Sequence, residues 1–554
     1  MDISMIAWGA LQNRLKKDEV RSPKGFPNLA FCVKIVGVKQ QLQTQDHYTT
    51  YERDGQVVLA LNNEIILPEN APVRLTSAQL EELDYRQLYR AYSPKGRKSA
   101  ADPRVTFKVM VYGYQCGIYS SRGWEEACRY RVDFMWLLEG EPVPDHATFA
   151  RFRKRCAKEI EDLFYQYARL LEEQGETDHE TVFIDGTKLE SAARRYTFVW
   201  RKSVEKQLAK VKQKAQAAIS ACSLSDLEEY LARSAEGIDF VHGSGKRKSA
   251  EQKDWEKLDE LRRRWAEYEE KLGVMGEGRN SYSKTDTDAT FMRMKEDHMR
   301  NGQLKPAYNV QIAVNSEYIT GIDVFSNRTD FGTLVPFLKT LQREHGKKYN
   351  SVTADAGYER LGNYLFLESN GQLSFIKPAN YEYQKSTKYK KQLGRMENMT
   401  YDADEDCYIC ANGRRLPLRR ECTELQNGQF VTTAYYRCED CKGCPLREKC
   451  CQAKDAEQPK ELRVNKTLQE LRKASQKNIT TEHGIYLRLC RSIQVEGAFG
   501  LLKTDFGFRR FLTRGKTNVR TEMFLLALAF DLKKLWMKRE NGRLQTHLSR
   551  LSSA

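Results

Sequence analysis

Two short apolar runs, each closing on an aspartate, constrain this chain more than any other feature. Thr181-Val-Phe-Ile-Asp-Gly-Thr-Lys188 delivers Asp185, and Tyr349-Asn-Ser-Val-Thr-Ala-Asp-Ala-Gly-Tyr358 delivers Asp355. Short runs rich in β-formers and closed by Asp and Gly read as strands that end in a turn, so both carboxylates fall at strand ends. A third acid, Glu496, lies in the helical run Cys490-Arg-Ser-Ile-Gln-Val-Glu-Gly-Ala-Phe-Gly-Leu-Leu-Lys503, part of a helix predicted over 481–503. Val495, Phe499 and Leu502 share one face of that helix; Glu496, Gly500 and Lys503 share the adjacent one. Gly500 leaves room beside the acid, and Lys503 reaches a phosphate of the same substrate. Two strand-end aspartates and a helical glutamate are the donor set for two hard divalent cations, Mg²⁺ or Mn²⁺, which prefer oxygen and keep positions for water and phosphate.

The text between the acids orders the fold. Tyr308-Asn-Val-Gln-Ile-Ala-Val314 and Tyr318-Ile-Thr-Gly-Ile-Asp-Val-Phe325 alternate around a short turn and predict an antiparallel hairpin. Thr329-Asp330 caps a helix with Phe331, Leu334, Leu338 and Leu341 inward, and Leu373-Ser-Phe-Ile-Lys377 supplies a last strand. Strand, hairpin, helix, strand, helix, strand is the order of an RNase H-like mixed α/β sheet. Two insertions interrupt it. One, about 195–285, reads as a two-helix hairpin, with Val204, Leu208 and Val211 on one helix, Trp255, Leu258, Leu261, Trp265, Tyr268 and Leu272 on the other, and a basic loop His242-Gly-Ser-Gly-Lys-Arg-Lys248 between. The other, 381–480, is rich in cysteine. The core spans 176–380 and resumes at 481–540 with a last helix from Val519 to Trp536; a tail of 541–554 follows.

Upstream, 45–175 reads as helical after a short hairpin within 45–67, and 1–44 carries no pattern that assigns it. Leu80, Leu83, Tyr85, Leu88 and Tyr89 mark one helix, closed by Ser93-Pro-Lys-Gly96. Asp102-Pro103 starts a second, ended at Gly117; Ser120 starts a third with Trp124, Ala127 and Cys128 inward. Asp145 caps a fourth, whose polar face holds Arg151, Arg153, Lys154 and Arg155. A compact helical unit with a basic final helix has the composition of a helix-turn-helix-like DNA reader; the competing reading is a bundle with a solvated basic face.

Among 554 residues the net charge is +16, a balance that suits a polyanionic partner because each neutralised phosphate releases counterions. No stretch approaches the ~20 apolar residues of a membrane span, and no secretory leader opens the chain. The expected site is cytoplasmic and nucleoid-associated, where thiols stay reduced. The 14 cysteines then point to metal rather than disulfides. Cys407-Tyr-Ile-Cys410 and Cys438-Glu-Asp-Cys-Lys-Gly-Cys444 have structural zinc spacing. The leading Zn²⁺ ligand set is Cys407, Cys410, Cys438 and Cys441, with Cys444 and Cys450 able to substitute; the alternative is a metal-free thiol cluster.

Several stretches resemble bacterial insertion-sequence transposases of the DDE class: Tyr112-Gly-Tyr-Gln-Cys-Gly-Ile-Tyr-Ser-Ser-Arg122, Pro144-Asp-His-Ala-Thr148, Ile184-Asp-Gly-Thr-Lys188, Thr285-Asp-Thr-Asp-Ala-Thr-Phe-Met-Arg293, Lys305-Pro-Ala-Tyr-Asn309, Asp355-Ala-Gly-Tyr358 and Val495-Glu-Gly-Ala-Phe-Gly500. The resemblance implies that Asp185, Asp355 and Glu496 are the DDE triad and that the helical unit recognises the element's terminal inverted repeats. It also implies a homodimer on paired ends of double-stranded DNA. One position departs. Relatives place Tyr, Arg, Glu and Lys as Y-x2-R-x3-E-x6-K; here Lys503 fits, but Leu489 and Ser492 stand where Tyr and Arg are expected, leaving Arg491 or Arg488 to supply the charge.

The chemistry expected is cleavage by water that frees a 3′-OH, followed by attack of that hydroxyl on target DNA. Asp185 is expected to bridge the two cations, with Asp355 on one and Glu496 on the other. Lys188, Lys305, Arg328, Arg491 and Lys503 are candidate DNA contacts, with His298 and Asn327. Asp286, Asp288 and Asp297 read as turn or capping residues. The alternatives are an RNase H-like nuclease without strand transfer, or a DNA-binding protein that has lost catalysis.

Overall fold

The computed structural model describes residues 67–548 other than 93–100, 243–247, 295–301, 427–428, 452–454 and 456–457. The predicted hairpin within 45–67, the Ser93–Gly96 stop, the middle of the basic loop, Asp297 and His298 lie outside the described residues. The chain divides into 1–68 and 69–554, and all that follows concerns the second unit.

Its centre is a six-stranded sheet. In chain order the strands are β1 (Thr181–Glu190), a separate two-stranded ribbon of β2 (Phe198–Trp200) and β3 (Ser281–Ser283), then β4 (Thr290–Arg293), β5 (Leu304–Asn315), β6 (Tyr318–Phe325), β7 (Ser351–Ala354) and β8 (Leu373–Ile376). The sheet runs β4-β5-β1-β7-β8, with β6 also on β5. β5 is antiparallel to β1, β4 and β6, while β1, β7 and β8 are mutually parallel. β7 is buried at every position, as a strand covered on both faces must be. β5 and β6 join through Ser316 and Glu317, both at positive φ (51° and 74°), the backbone that lets a two-residue turn follow the strand twist.

One face of the sheet is covered by helices Leu334–His345 and Leu361–Ser369, which bury Phe337, Leu341 and Leu367 against Val182, Ile184 and Val352. Phe331 does not join them. The helix starts three residues later than the sequence spacing suggests, behind a short 3₁₀ turn at Asp330–Gly332, and Phe331 is 48% exposed. The other face carries the helix Lys516–Glu540, which packs on β6 and against Pro103–Gln115 and Ala157–Glu173. The N-terminal helices are therefore fused to the sheet through this element. Buried Glu176 and Lys538 pair at 2.9 Å across that junction, and Arg520 reaches Glu161 at 2.6 Å.

The caps of the helical layer are local. Asp102, Ser120 and Asp145 accept from the amides of Arg104, Gly123 and Thr148. The first predicted helix is two, Pro72–Glu81 and Arg86–Arg90, parted at Leu83 and Asp84. The first insertion has three helices rather than two: Arg201–Ile219, Leu224–Ala235 and Ala250–Met275, packed around Leu208, Leu227, Leu231 and Trp265. The cysteine-rich segment forms an antiparallel sheet of β9 (Thr400–Asp402), β10 (Cys407–Ile409), β11 (Arg415–Gln426), β12 (Gln429–Arg437) and β13 (Glu461–Val464). It ends there. The helix Lys466–Thr480 belongs to the central layer, where Ser475 donates to Ile376 O at 2.9 Å and Arg472 pairs with Glu359.

Candidate active site

Asp185 and Asp355 stand side by side on neighbouring parallel strands, but only one is at a strand end. Asp355 follows the last residue of β7, whereas β1 continues through Asp185 to Glu190 because its pairing with β5 carries the strand past the Asp-Gly step. Ile184 pairs with Ala354, so the next residue of each strand is the aspartate, at an interstrand spacing of about 4.8 Å. Asp185 is 9% exposed and accepts from the Gly186 amide at 2.8 Å. Asp355 accepts from the Gly357 amide at 2.8 Å and thereby opens a 3₁₀ turn, the local bond that short acidic side chains make at chain reversals.

Glu496 arrives on a helix that is not continuous. Helices Glu482–Arg491 and Gly497–Thr504 flank a π turn at Ser492–Glu496. A π turn holds one extra residue, and such bulges recur at functional sites. Here it sets the facing of Arg491. Its Nη2 donates to Glu496 Oε1 at 3.1 Å, five residues on, and its Nη1 lies 3.4 Å from Asp185 Oδ2. One guanidinium thus spans the first and third acids. Ser492, at the position where relatives hold arginine, is bypassed by the added residue, and Arg491 rather than Arg488 faces the acids. Gln494, buried in the same turn, accepts from the Glu317 amide at 3.0 Å and fixes the turn to the β5–β6 hairpin.

Behind the aspartates lies a polar knot that the sequence reading missed. Asp330 Oδ1 accepts from Asn309 Nδ2 at 2.7 Å and Gln311 Nε2 at 2.9 Å, Gln311 Nε2 also reaches Asn309 Oδ1, and the Tyr358 hydroxyl donates to Gln311 Oε1. Asn363 joins the Asp330 and Asp355 turns by donating to Phe331 O and Tyr358 O. Burial, then the carboxylates of Asp330, Asp185 and Asp355, hold the Tyr358 phenol well above its ordinary value. Two glycines make room. A Cβ on Gly186 would lie 2.2 Å from Gln311 Nε2 and 2.7 Å from Asp330 Oδ1; one on Gly357 would lie 3.0 Å from Asp355 Oδ1 and 3.5 Å from Asp330 Oδ2. The signal was legible: Asn309 and Gln311 are two amides in the otherwise apolar run Tyr308–Val314.

The other candidates fall in several places. Arg151, Lys154 and Arg155 are exposed on the basic helix; Arg151 donates to Thr148 Oγ1, and Arg155 lies over the Tyr92 ring. Arg153 turns inward, half-buried over the Trp124 ring at 5.9 Å, and so leaves the polar face predicted for it. Lys188 is half-buried on β1, and Lys305 pairs with Glu190 at 3.2 Å. Asn327 and Arg328 are exposed, and Lys503 is half-buried one turn beyond Gly500. Asp286 is buried and accepts from Ser191, Tyr308 and the Gly515 amide, whereas Asp288 accepts from the Lys516 amide.

Among the cysteines, Cys410, Cys438, Cys441 and Cys450 pack on one small core. Burial, then a hydrogen bond with Cys441, pushes the Cys438 thiol up to about 12, and burial raises Cys450 in the field of Cys410 and Cys441. Cys407 is not among them. It lies within β10 between Asp402 and Pro417, and its charged neighbours are Asp402, Arg415, Glu405 and Asp406. Cys450 takes the place expected for it, while Cys444 is half-buried and outside that core.

Among the described residues no three His, Cys, Asp or Glu side chains stand close enough together to hold a metal ion as they are. The donor chemistry fits nonetheless: two neighbouring carboxylates on β1 and after β7, with a third tied to the first through Arg491, suit a hard cation, and four thiols on one core suit zinc. No helix among the described residues is long and apolar enough to cross a membrane.

Residues 409–536 match a transposase DDE domain, and residues 62–155 match a transposase domain (DUF772). The first span contains Arg491 and Glu496; neither contains Asp185 or Asp355. No curated protein matches the chain.

Proposed function

We propose that this chain, whose two matched domain models are those of transposases, is an insertion-sequence transposase of the DDE class that binds the terminal inverted repeats of its element, cleaves at the ends and joins the freed 3′-OH to target DNA. The observation that carries this reading is the register of β1 and β7, which sets Asp185 beside Asp355, together with the Arg491 guanidinium that ties Asp185 to Glu496. The strand order β6-β5-β1-β7-β8, with only β5 reversed, supports an RNase H-like core.

Asp185, Asp355 and Glu496 would hold two Mg²⁺ or Mn²⁺ ions, which when bound activate the attacking oxygen and stabilise the leaving one. Arg491 keeps the charges of Asp185 and Glu496 balanced. The Asn309–Gln311–Asp330–Tyr358 knot holds the Asp355 turn against β1. Lys503, on the Glu496 face, reaches toward a substrate phosphate. Arg151, Lys154 and Arg155 are offered to the DNA of the repeat, with Lys188, Lys305 and Arg328 around the core. A homodimer on paired ends, a cytoplasmic, nucleoid-associated setting, and a structural Zn²⁺ held by Cys410, Cys438, Cys441 and Cys450 complete the reading.

The test is metal-dependent cleavage of a duplex carrying the element's inverted repeats, followed by strand transfer from a 3′-OH donor. Cleavage without transfer would make the protein a nuclease. Full activity in Asp185→Ala or Glu496→Ala would remove the proposed site.

A further inference from the structure

Beyond Glu496 the catalytic helix runs into a basic ledge that ends on an exposed aromatic. Lys503 lies seven residues on, about 10 Å along the helix. The Arg509 guanidinium donates to Lys503 O at 3.4 Å, and both Arg509 and Arg510 are exposed. Arg510 then crosses to the segment after β1, donating to Ser191 O at 3.1 Å and Ala193 O at 3.2 Å, while the Phe511 amide donates to Glu190 O. Buried Glu190 is the acid beneath this crossing and is outnumbered: Arg195 at 3.3 Å, Lys305 at 3.2 Å and Arg510 at 3.8 Å surround it. The surface above it is therefore positive.

The far end is built to display a ring. The Thr197 hydroxyl donates to Arg194 O at 2.9 Å and lies 2.9 Å from Ser283 Oγ, while the Arg194 amide donates to Thr285 Oγ1 and the Lys284 amide to Thr197 O. On this pinned turn, between Arg195 and Thr197, Tyr196 is 82% exposed. Exposing an aromatic on a fixed support costs apolar hydration and gains nothing within the chain. Guanidinium groups interleaved with such a ring form the pattern that engages a phosphate backbone and stacks on bases.

We propose that Lys503, Arg509, Arg510, Arg195, Arg194 and Tyr196 form a DNA-binding ledge that carries the substrate duplex away from the acids, with Tyr196 packing on an unpaired base or sugar at its end. The proposal rests on the reading of the chain as a DNA-cleaving transposase and assigns the path of that DNA. Charge selects the partner: a polyanion with a repeating phosphate spacing fits a line of arginines, and Tyr196 adds a preference for a nucleobase over a plain acidic chain.

The experiment is fluorescence anisotropy of the full chain with a mixed-sequence duplex of about three helical turns bearing a short single-stranded flank, over about 50 to 200 mM salt. Arg194→Gln with Arg509→Gln should weaken binding at least tenfold and reduce the log–log salt slope by about 2, since each phosphate contact contributes about 0.9. Tyr196→Ala should cost at least about fivefold on the flanked duplex, whereas Tyr196→Phe should stay within about twofold. Variants that bind with the parent's affinity and slope overturn the ledge while leaving cleavage by the parent to stand. Equal affinity for polyglutamate, with the same dependence on these residues, overturns DNA as its partner. Failure of the parent to bind any duplex removes both the ledge and the reading beneath it.

Discussion

Gly186→Ala probes how tightly the knot behind Asp185 is packed. The added methyl would sit 2.2 Å from Gln311 Nε2, 2.7 Å from Asp330 Oδ1 and 3.0 Å from Asn309 Oδ1, all inside van der Waals contact. Gln311 is fully buried and held at both ends, by Tyr358 on its oxygen and by Asp330 and Asn309 on its nitrogen, so it has no free direction in which to swing. Moving it leaves buried polar groups unpaired at about 1–3 kcal/mol, on top of a similar cost for overpacking. We expect a loss of about 3 kcal/mol, which lowers the melting temperature by roughly 3 °C if the unit 69–554 melts cooperatively, since its unfolding entropy is about 1 kcal/mol per kelvin. Scanning calorimetry measures it. Adding Gln311→Ala opens the space, so the double variant should be less destabilised than the sum of the singles, a coupling read from a double-mutant cycle. A drop under about 2 °C for Gly186→Ala, or strictly additive losses, would refute the packing argument.

Four further outcomes are expected. Gly500→Ala meets nothing within 4 Å and gains helix propensity, so denaturant melts should show about 0.5–1 kcal/mol more stability; a loss would place an unseen neighbour there. His345 is pushed down to about 4, first by burial, with its Nε2 donating to Thr320 O and His179, Arg169 and Glu172 nearby. Its folded pKa lies below the unfolded 6.5, so stability is whole above pH 6.5 and falls as pH drops toward 4, by at most about 1.4 kcal/mol per pH unit, and urea titrations of His345→Gln should be flatter across that window. Deleting Ser492 turns the π turn into ordinary helix while keeping Arg491 four residues before the glutamate; circular dichroism and melting should show a folded chain, whereas inserting an alanine after Gly497 should unfold the element. Cys441→Ser should release zinc, read by elemental content, while Cys407→Ser retains it.

Much of the core was readable because its signals are local. The runs around Asp185 and Asp355 announce themselves as strands by their β-formers, and the helix caps at Asp102, Ser120 and Asp145 by a single side chain each. The stop at the aspartate occurs only after β7, since pairing with β5 carries β1 on to Glu190. What was missed depends largely on partners distant in sequence. The helix Leu224–Ala235 had its start written in Ser223 and Asp226, which form a reciprocal capping box, but its short apolar stripe of Leu227 and Leu231 was overlooked. The π turn leaves no mark in the period: buried positions step from Leu487 to Cys490 by three and to Gln494 by four, as an α-helical face does, so it is set by the distant partners of Arg491 and Gln494. Phe331 reads as inward because its spacing continues the helix, and nothing local says that a 3₁₀ turn comes first. The choice of Cys450 over Cys407 depends on how β10 lies in its sheet, which spacing alone does not encode.

Among the described residues the helix Lys516–Glu540 is the last element in chain order, yet it is the wedge between the sheet and the N-terminal helices. During synthesis those earlier layers wait with apolar faces uncovered, since domains assemble as their parts emerge. A chain stopped before Lys516 would carry all three acids yet leave β6 and the helices Pro103–Gln115 and Ala157–Glu173 without the element they share, so limited proteolysis should cut it in those layers first.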